Sequence, residues 1–268
     1  MIRLAVRVAR ADAEAVLAEL LGLAPGGMEE VDDGGEAVEY VIYGAPGELP
    51  DLPDVRAAAG AALVEVSTSE IADDWSERWR AFHRPVEVGP VRVRPPWEPA
   101  AGTGVDVVID PAQAFGTGAH ATTRLCLELL LGRVPGGAFA DWGAGSGVLA
   151  VVAAKLGYAP VRAADYDPLS VEACAGNAAA NSVSLDVAQV DLRSQEGPWA
   201  PVVCANLLRP LLLEVAARLS RAPELLIVSG LLVEESDEVA AAFGRAGLRE
   251  VDRRTGGEWA ALALAGSG

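Results

Sequence analysis

Two acidic residues, with a run of glycines between them, could bind a polar ligand. Asp141 is followed by Gly143, Gly145 and Gly147, and Asp165 stands 22 residues after Gly143. Glycines let the backbone turn sharply and let a ligand approach the main chain closely. A carboxylate at this distance can reach the hydroxyl pair of a ribose. The pattern indicates a nucleoside-containing ligand, and the alternative is a glycine turn that only packs a helix onto a strand.

The elements around these residues must bring them together. A short apolar run ends at Asp141, residues 148–156 repeat apolar and small side chains at a helical period, and residues 161–164 lead into Asp165 as a second strand. This order predicts a strand, a glycine turn, a helix and a second strand, which is half of a nucleotide-binding sheet. The N-terminus of the helix would offer free N–H groups to a polar ligand.

The spacing of the glycines separates two classes of cofactor. A dinucleotide fingerprint G-x-G-x-x-G would need a glycine where this chain has Val148. This disfavours an NAD-dependent dehydrogenase, and a cofactor-binding titration would decide the matter. The spacing D-x-G-x-G-x-G from Asp141 to Gly147 instead resembles the first motif of Rossmann-like methyltransferases that use S-adenosylmethionine.

A second polar segment, residues 115–123, reads FGTGAHATT. Its glycines bring the backbone close to another group, and the hydroxyl of Thr117 and the imidazole of His120 can face a cavity. Thr122 or Thr123 is expected to cap the helix that follows. The alternative is a loop and helix cap with a satisfied histidine and no ligand.

The rest of residues 100–268 alternates strands with helices and closes on a hairpin. This alternation predicts an α/β fold with a parallel sheet covered on both faces, to which the hairpin adds one antiparallel strand. Ligand atoms should gather at the carboxyl ends of the first, second and fourth strands. The fourth strand, residues 202–205, leads into Asn206. Asp191 follows the third strand, at the place where Rossmann-like methyltransferases often hold the adenine of their cofactor.

The first 70 residues predict a separate domain with the order βαββαβ, a ferredoxin-like α+β unit that lacks evident catalytic residues and suits substrate recognition. Residues 71–99 are expected to be a linker. Its helix carries Trp75, Trp79 and Phe82 on one stripe, and a proline-rich connection follows. The stripe is interpreted as packing and not as a ligand-stacking surface.

Composition limits the partners and the location. The net charge of −17 argues against binding bare nucleic acid along its phosphates. It fits a basic protein partner or simply solubility. The three cysteines, Cys126, Cys174 and Cys204, lack the spacing of a metal site, so no metal is expected and reduced core thiols are. No membrane span or signal peptide is expected either, which predicts a cytoplasmic protein, and we expect a monomer.

With these pieces placed, the chain resembles the PrmA family, the methyltransferases of large-subunit ribosomal protein L11, over its whole length. The resemblance rests on five segments, FGTGAHATT at 115–123, DWGAGSGVLA at 141–150, ADYDP at 164–168, ANLLRPL at 205–211 and SGLL at 229–232. It implies S-adenosylmethionine as cofactor and methylation of lysine side chains and the N-terminal amine of that protein. By position, Thr123, Gly143, Asp165 and Asn206 correspond to the family's cofactor-binding set.

The expected chemistry is an in-line transfer of a methyl group from a sulfonium to an amine. Asn206 cannot take a proton at neutral pH, but its carbonyl can orient the amine and its amide can hold the methionyl end of the cofactor. We therefore expect Asn206 and His120 to act in catalysis. Leu207 and Leu208 follow Asn206, where enzymes that methylate planar amides or bases carry Pro-Pro and an aromatic residue. A methyltransferase for another basic protein and a non-catalytic S-adenosylmethionine-binding protein remain as alternatives.

Overall fold

The computed structural model describes residues 2–24, 28–31, 34–44, 49–70, 84–100, 102–111 and 120–266. The chain divides into two compact units, Met1–Phe82 and His83–Gly268. The predicted linker helix with Trp75, Trp79 and Phe82, and the predicted site residue Thr117, lie outside the described residues.

The N-terminal unit is an antiparallel sheet with two helices. Its elements are β1 (Ile2–Ala9), α1 (Ala13–Leu23), β2 (Glu29–Val31), β3 (Ala37–Gly44), α2 (Leu52–Ala59) and β4 (Leu63–Glu70). The strand order β2-β3-β1-β4, with every pairing antiparallel, is that of a ferredoxin-like fold, as predicted. Alternate residues Leu4, Val6 and Val8 of β1 are buried against both helices' apolar sides. The alanine-rich run predicts the second helix at residues 54–63, but α2 ends at Ala59, because a 3-10 turn at Gly60–Ala62 leads directly into β4.

The C-terminal unit alternates strands and helices as the sequence predicts. Its elements are β5 (Val86–Val88), β6 (Val91–Arg94), β7 (Val105–Val108), α3 (Ala121–Leu131), β8 (Phe139–Trp142), α4 (Val148–Leu156), β9 (Val161–Asp165), α5 (Pro168–Ala180), β10 (Asp186–Gln189), β11 (Val202–Asn206), α6 (Arg209–Arg218), β12 (Leu225–Leu232), α7 (Ser236–Arg245), β13 (Leu248–Gly256) and β14 (Trp259–Gly266). Within the described residues, no helix has the length and apolarity to cross a membrane.

The main sheet has seven strands in the order β10-β9-β8-β11-β12-β14-β13. Only β14 runs against its neighbours, which confirms the single antiparallel strand expected from the closing hairpin. Helices cover both faces of the sheet, and adjacent residues of β8 belong to the two different helical layers. Phe139 packs in the layer of α3, α4 and α5, and Ala140 packs in the layer of α6 and α7. Burial on both faces explains why the central strands are continuous apolar runs.

A second, three-stranded sheet, β5-β6-β7, belongs to the C-terminal unit. Its residues Val88, Val91 and Val93 are buried in the same apolar cluster as Leu125 of α3. The structure therefore places part of the expected linker, residues 71–99, within the core of the C-terminal unit. A methyltransferase domain beginning at residue 100 would lack both β5 and β6.

Helix ends in this unit are set by local sequence signals. Helix α4 begins after Gly147 and ends at Gly157, and both glycines have left-handed backbone, with φ of 78° and 103°. Helix α5 begins after Asp167, whose Oδ1 accepts a hydrogen bond from the Leu169 N–H at 3.1 Å, and Pro168 occupies its first position. These ends fix where the turns before α4 and α5 lie.

Candidate functional site

The carboxyl ends of three neighbouring strands bring the predicted residues to one edge of the main sheet. In the parallel pairing of β8, Trp142 lies opposite Ala164 of β9 and Ala205 of β11. The next residues along these strands are Gly143, Asp165 and Asn206. The fold therefore assembles one polar edge, as the sequence predicts for strands one, two and four of the sheet.

The glycine turn is held tightly by its neighbours. Gly143, Gly145 and Gly147 have φ of 73°, 52° and 78°, a region that side-chain-bearing residues rarely adopt. A Cβ atom added at Gly143 would lie 2.2 Å from Cδ2 of Leu207, and one at Gly147 would lie 2.5 Å from Sγ of Cys174. The turn thus contacts both the chain after Asn206 and helix α5, and glycine is required for close approach as well as for conformation.

Asp165 is a buried carboxylate that shapes this turn. It is 8% exposed, and its Oδ2 accepts a hydrogen bond from the Gly145 N–H at 2.9 Å. Its Oδ1 accepts one from the Asp167 N–H at 3.1 Å. Each carboxylate oxygen has a further lone pair, so both retain capacity for a ligand hydroxyl.

Asp141 lies deeper, beneath the turn. It is 1% exposed, and its Oδ2 accepts a hydrogen bond from the Ala150 N–H of α4 at 3.1 Å. Its Oδ1 is buried and has no hydrogen-bond partner in the part of the chain that the structure describes. Burial, assisted by the nearby charge of Asp165, raises the pKa of Asp141 to about 7, against the lowering effect of the Ala150 bond. The carboxylate is therefore poorly compensated within the protein itself.

On the other side of the edge, Asn206 is joined to the start of α3. Its Nδ2 donates to the hydroxyl of Thr122 at 3.2 Å and approaches that of Thr123 at 3.5 Å. The Thr122 hydroxyl lies 2.8 Å from Nδ1 of His120, whose ring packs edge-on against Trp259 with centroids 4.9 Å apart. These bonds use only the amide nitrogen of Asn206, so its Oδ1 remains as an acceptor.

The structure corrects the expected helix cap. His120, and not Thr122 or Thr123, is the N-cap residue of α3, and its Nδ1 accepts from the Thr122 N–H at 3.4 Å. Both threonines lie in the first turn and are buried, at 4% and 1% exposure. Partial desolvation lowers the pKa of His120, so the neutral imidazole is favoured at neutral pH. Because Nδ1 accepts, the proton of this neutral ring belongs on Nε2.

Asp191 stays at the surface beside the main site. Its Oδ1 accepts hydrogen bonds from the backbone and the Nε of Arg193, at 3.0 and 2.8 Å. These bonds to Arg193 hold the pKa of Asp191 below its ordinary value.

Sequence reasoning did not assign Trp259 or Leu207 to the site. Leu207 fills the space against Gly143, and Trp259 supports the ring of His120. A signal existed only for Trp259, an aromatic residue at the start of the last strand, which the antiparallel hairpin brings to the same edge of the sheet.

The donor set fits a nucleoside that also carries charged groups. Asp165 can accept from a ribose, and the glycine turn keeps a ligand close to backbone N–H groups at the start of α4. Because Oδ1 of Asp141 has no hydrogen-bond donor within the described residues, a positively charged group of a ligand would be favoured near this edge. S-adenosylmethionine carries a ribose, a carboxylate, an ammonium and a sulfonium, so the residues present fit this cofactor.

Comparison with known proteins agrees with this geometry. The profile of the family described as ribosomal protein L11 methyltransferase (PrmA) matches residues 54–266. A ribosomal protein L11 methyltransferase from Pelotomaculum thermopropionicum is 41% identical over 208 residues, 74% of this chain and 68% of that protein. One from Myxococcus xanthus is 35% identical over 237 residues, 84% of this chain and 82% of that protein.

Solved structures give the same result. The crystal structure of a ribosomal protein L11 methylase from Lactobacillus delbrueckii subsp. bulgaricus superposes with a TM-score of 0.62 at 25% sequence identity, covering 69% of this chain and 100% of that chain. The chain therefore belongs to the ribosomal protein L11 methyltransferase (PrmA) family and is an S-adenosylmethionine-dependent methyltransferase.

Proposed function

We propose that this protein transfers methyl groups from S-adenosylmethionine to amino groups of ribosomal protein L11, namely lysine side chains and the N-terminal amine. The observation that carries the proposal is the carboxamide of Asn206, fixed by Thr122 beside the glycine turn with its Oδ1 left to accept from an amine. Membership of the family, whose curated relatives are named for ribosomal protein L11, supports this choice of substrate.

The cofactor is assigned to the edge formed by β8 and β9. Asp165 accepts from the ribose hydroxyls, and Gly143, Gly145 and Gly147 keep side chains away from the bound molecule. Asp141 contributes negative charge beneath the turn, and Thr117 and Thr123 complete the set by their positions in the family motif. When bound, S-adenosylmethionine supplies a methyl group activated by a positively charged sulfur.

The acceptor must reach this methyl group as a neutral amine. A lysine amine with pKa near 10.4 costs about 4–5 kcal/mol to deprotonate at pH 7, and desolvation in an apolar cleft lowers that pKa. Oδ1 of Asn206 accepts a hydrogen bond from the amine and turns its lone pair toward the methyl carbon. Most of the rate acceleration then comes from alignment, because an oriented pair avoids the entropy cost of encounter.

His120 serves this alignment and does not act as the proton acceptor in the arrangement described. Its Nδ1 lies against both the hydroxyl and the N–H of Thr122, so the proton of the neutral ring lies on Nε2. The sequence of contacts from His120 through Thr122 to Asn206 fixes which way the carboxamide faces. The ammonium form of the acceptor loses its proton to solvent before transfer, because only the neutral amine has a free lone pair.

The N-terminal unit is proposed as the module that recognises the ribosomal protein. Its ferredoxin-like fold adds binding surface without evident catalytic groups, and the net charge of −17 favours a basic partner. The protein would act as a cytoplasmic monomer with no direct contact with nucleic acid or membrane.

The test is methylation of purified ribosomal protein L11 by the full chain with S-adenosylmethionine, followed by mass spectrometry of its peptides. We expect methyl groups on lysine side chains and on the N-terminal amine. Asn206→Ala should lower turnover about 100-fold through lost alignment, with the cofactor dissociation constant measured separately. Parental turnover by a folded Asn206→Ala protein would contradict the assigned role, and an unmodified substrate would contradict the function.

A further inference from the structure

Two buried asparagines at the C-terminal end of α5, Asn177 in its last turns and Asn181 as its C-cap residue, have no role in the proposed function. Asn177 is 4% exposed and Asn181 is 7% exposed, in a helix otherwise rich in alanine. They stand four residues apart and therefore on one face of the helix. A buried carboxamide is costly unless its donors and acceptor are bonded, so their partners indicate what they do.

Asn177 joins two segments that are distant in sequence. Its Nδ2 donates to the carbonyl of Ser146, within the glycine turn, at 2.9 Å. Its Oδ1 accepts from the N–H of Asp110, just after β7, at 3.0 Å. Ser146 is completely buried. The carboxamide of Asn177 thus links the glycine turn to the end of β7 by hydrogen bonds.

Asn181 makes similar bonds, but to β7 and to its own helix. Its Oδ1 accepts from the N–H of Val108 at 2.9 Å, and its Nδ2 donates to the Val108 carbonyl at 2.6 Å. The same Nδ2 also lies 2.8 Å from the carbonyl of Asn177. Asn181 therefore attaches α5 to β7 without touching the glycine turn, and it offers a matched comparison for Asn177.

We propose that Asn177 is a positioning residue for the cofactor site, because its carboxamide fixes the glycine turn relative to the end of β7. Gly145 and the first N–H groups of α4 lie on the turn that Ser146 belongs to, so a shift of Ser146 displaces the groups that face the cofactor. Misplacement of about 1 Å is enough to weaken an oriented interaction strongly. This inference rests on the proposed function, since it assumes that S-adenosylmethionine binds at the turn.

The first experiment compares Asn177→Ala with Asn181→Ala in the full chain, using calorimetric titration with S-adenosylmethionine. Both variants lose a buried carboxamide and should melt at lower temperature. We expect Asn177→Ala to bind the cofactor about tenfold more weakly or worse, and Asn181→Ala to bind near the parental value. Parental affinity in Asn177→Ala, or equal losses in both variants, would overturn the inference.

A second variant, Asn177→Asp, separates positioning from general destabilisation. Aspartate keeps an acceptor for the Asp110 N–H but donates to the Ser146 carbonyl only when it is protonated, which burial favours. The ratio of variant to parental dissociation constants should therefore be large at about pH 8 and fall toward unity at about pH 5. A flat ratio would mean that the residue has only a structural role, and this test decides the matter if Asn177→Ala does not fold. Failure of the parental protein to bind S-adenosylmethionine would instead overturn the proposed function and this inference with it.

Discussion

Replacing Asp141 by asparagine should reduce the loss of folding stability that occurs as the pH rises. The carboxylate is buried beneath the glycine turn, and of its two oxygens only Oδ2 has a hydrogen bond within the described residues, from Ala150. Asparagine has nearly the same shape, keeps an acceptor for the Ala150 N–H and carries no charge. The two proteins therefore differ mainly in whether this position titrates.

The size and sign of the effect follow from the shifted pKa. Burial raises the folded-state pKa of Asp141 from 3.8 to about 7, so the folded protein binds more protons than the unfolded chain between these values. The contribution of Asp141 to the free energy of unfolding is fully present below pH 3.8 and is lost as the pH rises through about 7. The whole shift corresponds to about 4 kcal/mol, of which about 3 kcal/mol falls between pH 5 and pH 8. The neighbouring thiols of Cys126 and Cys204 stay protonated throughout, because burial raises the pKa of each.

The assay is urea unfolding of the parental protein and Asp141→Asn at several pH values, without cofactor. The free energy of unfolding of the parent, minus that of the variant, should fall by about 3 kcal/mol from pH 5 to pH 8 and then level off. Carbon-13 NMR titration of the carboxyl that disappears in the variant gives the pKa directly. Asp186→Asn is the matched control, because this aspartate at the start of β10 is exposed to solvent.

The reasoning would be refuted by a parent-minus-variant difference that stays within about 0.5 kcal/mol over this range, the usual effect of a surface substitution. A carboxyl that titrates near its ordinary pKa would refute it equally. Either result would mean that the Asp141 carboxylate is hydrated or paired when folded, contrary to its 1% exposure and to the lack of a partner for Oδ1 within the described residues.

Two further predictions concern the cofactor and the boundary of the C-terminal unit. Asp165→Ala should weaken S-adenosylmethionine binding by about 1.5–3 kcal/mol through loss of charge-assisted bonds to ribose. Calorimetry should show a much smaller loss for Asp167→Ala, and equal losses would contradict the ribose assignment. A chain beginning at Arg84 should fold, bind the cofactor and lose methylation of ribosomal protein L11. A chain beginning at Ala100 should melt at lower temperature, because β7 loses its partner strand β6, and β5 is lost with it. Circular dichroism and methyl-transfer assays check both, and identical melting of the two chains would contradict the role given to β5 and β6.

The architecture was largely predictable because its signals are local. Parallel strands buried on both faces are continuous apolar runs, and glycines mark where they stop. Helix α4 lies at the predicted residues for this reason. The apolar run at residues 225–228 predicts a fifth strand there, but the strand continues to Leu232, because Gly230 with φ of 83° forms an irregularity in the pairing with β14 and does not end the strand. The sequence also predicts a helix from residue 233, but a 3-10 turn occupies Val233–Glu235 and α7 begins at Ser236.

The site was predictable only in part, because sequence shows which strand end a residue follows but not what its side chain contacts. Asp165 and Asn206 are the last residues of β9 and β11 and reach the expected edge, and Asp141, within β8, lies beneath it. The cap made by His120 depends on a hydrogen bond that a backbone N–H donates to its imidazole, in place of the threonine hydroxyls that usually have this role. Asn177 contacts residues 31 and 67 positions away, and no periodic pattern encodes such distances. Its only signal is a polar residue on the buried face of a helix.

Contacts on two sides hold the glycine turn in place. On one side Leu207, the residue after Asn206, packs against Gly143 so closely that no side chain fits there. On the other side Asn177 holds the carbonyl of Ser146. A turn fixed from both sides need not be ordered when the cofactor arrives, so less binding free energy is lost to ordering. In the proposed function Asn206 aligns the acceptor amine, and its neighbour Leu207 packs on this turn. A change at Asn177 should therefore lower the rate of methyl transfer as well as cofactor affinity.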